Sequence, residues 1–195
     1  MKTDLLIIFY RNPELGKVKT RLAATVGDEK AFAIYLKLAS HTREVALQTA
    51  CDRVVYYSDF IDTEDSWSND QFKKSLQTGE SLGERMKQAF ANSFDAGYKR
   101  VCIIGTDCPG LTTQIINESF VKLKSNDVVI GPATDGGYYL LGMENFWPAL
   151  FENKAWSTDS VLSRTVQDAK QLNLLNFLLP TLTDVDEEKD LPTQY

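Results

Sequence analysis

The chain has 195 residues, 43% of them hydrophobic and 11% aromatic, which is enough apolar material to close one sizeable core, so a single domain over residues 1–195 is expected. Its formal net charge of −6 argues against nucleic acid and anionic membrane as partners, because both draw affinity from many cations facing phosphates. No apolar run approaches the roughly 20 residues of a membrane span, and "MKTDLLIIFY" enters a strand-like segment without a small-residue cleavage site, so a cytoplasmic protein is expected.

Residues 4–10, "DLLIIFY", form a continuous apolar run of the kind expected in a strand covered on both faces. A long helical region follows, where Phe32, Tyr35, Leu36, Leu38, Ala39, Val45 and Ala46 recur at steps of three and four within residues 28–50. "RVVYYSD" (53–59) and the more exposed "FKKSLQTG" (72–79) are the next strands. "SLGERMKQAFANSFDAG" reads as a helix opened by Ser81 and closed by Gly97. Then come strand "RVCIIGT", a helix from Thr112 or Thr113, strand "DVVIGPA", strand "GGYYLLGM" (136–143), helix "STDSVLSRTVQDAKQL" and strand "NLLNFLLP" before an acidic end. Alternation of this kind predicts an α/β, Rossmann-like fold, a mostly parallel sheet sandwiched by helices.

In such a sheet ligands bind at the carboxyl ends of the strands, and four unusual segments fall there. "RNPELGKVKTRL" gathers Arg11, Lys17, Lys19 and Arg21 in an otherwise acidic chain. With Gly16 permitting close approach of backbone amides, this loop suits phosphate, the other reading being a solvated basic loop; it lacks P-loop spacing. "IGTDCPGL" leaves Asp107 beyond the end of an apolar strand. A hard cation such as Mg2+ takes one or two carboxylates plus phosphate oxygens and water, so Asp107 is either half of a metal–phosphate site or the cap of the following turn.

"GPATDGGYYLLG" sets Asp135 before Gly136 and Gly137, with Tyr138 and Tyr139 on opposite faces of a strand, so that one tyrosine can flank a sugar or base. The same residues also read as a hairpin turn. "LTDVDEEKDL" offers Asp184 and Asp186, the latter at a plausible helix start. Cys51, Cys102 and Cys108 form no CxxC, and the only histidine, His41, lies in a helix, so neither a zinc site nor cysteine hydrolase chemistry is indicated.

The ordered motifs "KVKTRL", "SLGERM", "IGTDCPGL", "GPATDGGYYLLG", "WSTDSVL" and "DVDEEKDL" resemble those of a bacterial glycosyltransferase-A-like family, the radical-SAM/selenodomain-associated transferase type. More distantly the chain is similar to 2-phospho-lactate guanylyltransferase, molybdopterin guanylyltransferase and sugar-1-phosphate nucleotidyltransferases. The resemblance implies a nucleotide-diphospho-sugar transferase fold in which Lys19 and Arg21 hold phosphates and Asp107, completed by Asp186, binds Mg2+ or Mn2+. It further implies that Gln77 to Gly83 lie where relatives recognise the base, and that Asp135 with its double glycine meets the sugar or acceptor.

The leading expectation is a metal-dependent glycosyltransferase acting on a nucleotide sugar, with Lys19, Arg21, Asp107 and Asp135 at the chemistry. The alternatives are a nucleotidyltransferase that joins a nucleoside triphosphate to a phosphorylated acceptor, releasing pyrophosphate, and a nucleotide-binding module without catalysis.

Overall fold

A computed structural model of the chain describes residues 3–192. Its centre is strand β1, Asp4–Tyr10, which is joined in parallel on one side by β2, Asp52–Tyr57, and on the other by β4, Arg100–Ile104. β3, Lys73–Leu76, extends the sheet past β2. On the far side stand β5, Val128–Pro132, β6, Tyr138–Met143, and β7, Asn176–Leu178, giving the order β3-β2-β1-β4-β6-β5-β7. Among the described strands only β6 runs against its neighbours, because the turn at residues 133–137 folds it back on β5 as a hairpin.

The period of two along each strand divides the core. Leu6, Ile8 and Tyr10 of β1, with Cys102 and Ile104 of β4, face helices α2, Asp28–Leu47, and α4, Thr113–Lys122. Leu5 and Ile7, with Val101 and Ile103, face α3, Leu82–Asp95, and α5, Val161–Gln171. Two helices rather than one follow β1. Gly27, at φ +84, separates a short α1, Thr20–Val26, from α2. Within α2 the buried positions are Ala31, Ile34, Tyr35, Leu38, Ala39, Thr42, Val45 and Ala46, whereas Leu36 is exposed.

Caps fix where the helices begin. Ser81 caps α3 in a reciprocal box with Glu84. Thr112 caps α4 by accepting from the Ile115 amide at 3.3 Å, so Asp107 is not that helix's cap. The C-terminal segment runs beside the β5–β6 turn, with Leu182 bonded to Pro132 and Thr134, and the Val185 amide then donates to the Asp107 carbonyl at 2.9 Å. This lacing carries Asp184 and Asp186 to the end of β4. The short 3-10 turn Glu188–Asp190 that follows is capped by Glu187, which leaves the Asp186 carboxylate free of a capping role.

Candidate functional site

The chain leaves β1 for β2 on one side and later returns to β4 on the other, so a crevice opens between the carboxyl ends of β1 and β4. A cleft of about 920 Å³ lies there. Its lining comes from the loops after β1, β2, β3 and β4, from the β5–β6 turn, from residues 156–159 and from Asp184 and Asp186.

Three side chains meet at its floor. The Lys19 ammonium lies 3.0 Å from an Asp107 carboxylate oxygen and 3.2 Å from one of Asp186. Arg21 holds the other Asp186 oxygen at 2.5 Å. Lys19 has a left-handed backbone, φ 48, immediately before α1, a conformation uncommon outside glycine, and this sends its side chain inward to only 7% exposure. Burial acts against its charge, but Asp107 and Asp186 outweigh burial and hold its pKa above the ordinary lysine value. Asp107 folds back across Gly105, where a Cβ would stand 2.9 Å from its carboxylate oxygen.

Asp184 stands beside this group. One of its carboxylate oxygens is buried with no hydrogen-bond partner among the described residues. Burial first, then the charges of Asp107 and Asp135, push its pKa up to about 7, against the Cys108 thiol and Lys19, which pull it down. Burial also raises Cys108 well above an ordinary thiol, with Asp184 adding to the effect.

Arg11 lines the cleft with its carbonyl held by the Tyr35 hydroxyl. Its neighbour Asn12, 7% exposed, fastens the loops after β1 and β2 together. The Asn12 amide donates to the Phe60 carbonyl at 3.0 Å and its oxygen accepts from the Asp59 amide at 3.0 Å. Gln77 reaches the cleft while its amide donates to the Tyr56 carbonyl. Asp135 closes its own turn by accepting from the Gly137 amide at 2.8 Å, so the hairpin reading holds and the residue still lines the cleft, as do Gly137 and Tyr138.

Four expected site residues stand outside the lining. Lys17 is solvent-exposed and pairs with Glu14, and Gly16 sits in the same outer turn with φ +77. Gly83 and Gly136 are seats for the 156–159 segment: a Cβ on Gly83 would lie 2.2 Å from the Trp156 ring, and one on Gly136 2.2 Å from the Asp159 carbonyl. Conversely, the cleft gains Asp59, Arg85, Trp156 and Asp159, which sequence reasoning missed. For Arg85 and Trp156 the available signal was their place inside "SLGERM" and "WSTDSVL"; the Arg85 guanidinium is steadied by the Gly79 carbonyl at 3.0 Å.

Among the described residues no group of three or more His, Cys, Asp or Glu side chains is arranged to hold a metal ion. Asp107 and Asp186 are hard oxygen donors converging on one point, which fits Mg2+ or Mn2+ as a partial shell whose remaining ligands are phosphate oxygens and water.

Residues 41–158 match the model of the family described as "Uncharacterized protein conserved in bacteria (DUF2064)". A candidate nucleotide-diphospho-sugar transferase from Desulfovibrio desulfuricans G20 is 32% identical, with a TM-score of 0.87 over 96% of this chain and 84% of that one. CMP:2-keto-3-deoxy-manno-octonic acid synthetase, solved with CTP, shares the fold at 11% identity and a TM-score of 0.56, over 96% of this chain and 95% of that one. The inositol-1-phosphate CTP transferase of T. maritima does so at 12% identity and 0.54, over 97% and 92% respectively. No protein of curated function matches the sequence.

Proposed function

The chain belongs to the DUF2064 family of bacterial proteins, and from that premise we propose that it is a transferase acting on a nucleotide-linked substrate, a glycosyltransferase that draws on a nucleotide sugar with Mg2+ or Mn2+. One observation carries the reading: Lys19, Asp107 and Asp186 converge within 3.2 Å contacts at the floor of a cleft on the sheet's switch point.

In this reading Asp107 and Asp186 are the residues that would hold the cation. A cation held there would supply charge neutralisation for the diphosphate leaving group. Lys19 and Arg21, held at the cleft floor by Asp107 and Asp186, would turn to the diphosphate oxygens, and a single electrostatic contact of this kind is worth about 100- to 1000-fold in rate. Arg11 and Gln77 orient the nucleotide from the β1–β3 side. Tyr138 flanks the sugar, and Asp135, with one oxygen committed to its turn, orients the acceptor through the other.

A second reading, nucleotidyl transfer, is favoured by the fold shared with a synthetase solved with CTP and with a protein named as a CTP transferase, over more than 90% of both chains in each case. The same side chains would hold a triphosphate. Incubation with Mg2+, nucleoside triphosphates and sugar phosphates, in parallel with nucleotide sugars, separates the two. Free nucleoside diphosphate from the sugars supports the glycosyl reading, and pyrophosphate alone replaces it with the nucleotidyl one. Nucleotide stabilisation that is indifferent to Mg2+, without turnover, leaves a binding module.

A further inference from the structure

We propose that the Lys19 ammonium is the chain's own occupant of the position between Asp107 and Asp186, and that it makes entry of a divalent cation conditional on the diphosphate arriving with it. This rests on the proposed reading of the cleft as a site for a cation and a diphosphate.

Within the group of Lys19, Arg21, Asp107 and Asp186 the formal charges balance. Two carboxylates, Asp107 and Asp186, are met by two cations, Lys19 and Arg21, through contacts of 3.0, 3.2 and 2.5 Å. A divalent cation entering alone would add an uncompensated double charge to a partly buried place. It would also take both oxygens from an ammonium that is 7% exposed and anchored by a left-handed backbone, leaving that charge desolvated and unpaired. A diphosphate removes both obstacles. Its oxygens offset the cation's charge, and they accept the hydrogen bonds that Lys19 relinquishes. Coupling of this kind is reciprocal, so each ligand strengthens the other by one common factor, typically 5- to 150-fold. Without Lys19 the two carboxylates are a bare pair that accepts the cation by itself.

The test measures Mn2+ binding by the loss of the free-ion paramagnetic signal, with and without each nucleoside diphosphate and corrected for the Mn2+ that the same nucleotide binds without protein, in the wild-type protein and in Lys19→Met. Circular dichroism confirms that the variant folds, and Lys19→Gln, which can still hydrogen-bond both carboxylates without charge, replaces it if it does not. The expected result is weak Mn2+ binding by wild type alone, a strong gain with nucleoside diphosphate, and at least tenfold tighter Mn2+ binding by the nucleotide-free variant than by nucleotide-free wild type. Equal Mn2+ affinity of the two nucleotide-free proteins, with wild type still binding Mn2+ in the presence of nucleotide, overturns this inference and leaves the transferase reading standing. Failure of both proteins to bind Mn2+ even with nucleoside diphosphate overturns the reading and the inference together.

Discussion

Lys19 and Asp107 are 88 residues apart in sequence and 3.0 Å apart in space, and this contact joins the loop after β1 to the end of β4 across the mouth of the sheet. The pair gives a direct expectation for Asp107→Asn. The isosteric amide keeps the fold, because Lys19 retains Asp186 at 3.2 Å, but it removes a hard anionic donor. Turnover in either transferase assay is expected to fall by about 100-fold or more, the scale of a lost preorganised electrostatic contact. Activity within a few-fold of wild type would remove Asp107 from the site.

Asp184 makes stability depend on pH in an unusual direction. Its carboxyl, raised from 3.8 to about 7, stays protonated in the folded chain after the unfolded chain has lost the proton. The native state therefore binds more protons than the unfolded state between about pH 4 and 7, and stability falls as pH rises through that window. The groups facing it are Asp107, Asp135, Cys108 and Lys19. Asp184→Asn has no proton to lose. Measured in a chelator, its melting temperature is expected to gain on wild type from pH 4 to 7 and to hold that gain above 7. A difference between the two proteins that is flat with pH would refute the assignment.

The strands were readable because β1, β4 and β5 are apolar on both faces, a pattern that a central sheet position requires. Lys19, Arg21, Asp107 and Asp186 were readable as well, since cations clustered in an acidic chain and carboxylates after strands are departures from background. Direction was not. Lys17 and Lys19 are two residues apart in one basic run, yet the left-handed turn at Lys19 sends one inward while Lys17 remains in solvent, and no side-chain pattern encodes that. Asp186 read first as a helix cap, and the lacing of Leu182 to the β5–β6 turn, followed by the hydrogen bond from Val185 to Asp107, brings it to the cleft instead. Asn12 and the unpartnered Asp184 oxygen acquire meaning only from neighbours more than 40 residues away.

Cys108 adjoins Asp107, and its chemistry is settled by burial rather than by that adjacency. Burial and the Asp184 carboxyl raise its thiol far above the range in which a thiolate forms near neutral pH. Cys102 is likewise raised by burial and bonded to the Ser119 hydroxyl. In the folded protein at pH 8 a thiol-specific reagent is expected to leave both unmodified, with reaction following only on denaturation. Cys108→Ala is expected to leave turnover unchanged. Rapid modification of Cys108 with loss of activity would contradict both statements.

Gly83 sets two effects against each other. It lies in the first turn of α3, where alanine would ordinarily favour a helix by about 1 kcal/mol. A Cβ there, however, would stand 2.2 Å from the Trp156 ring, and that ring is stacked on Phe151 at a centroid distance of 6.4 Å. Overpacking a filled position costs about 1–3 kcal/mol, so Gly83→Ala is expected to destabilise despite its better propensity. The strain has a specific place to go. Displacing Trp156 also displaces Ser157 and Asp159, which line the cleft, so nucleotide affinity should fall with stability and Trp fluorescence should shift. Trimming the ring relieves the contact, and Gly83→Ala combined with Trp156→Leu is expected to be more stable than the sum of the two single changes by about 1 kcal/mol, as contacting residues couple. Strict additivity in chemical denaturation would show that the glycine and the tryptophan do not touch.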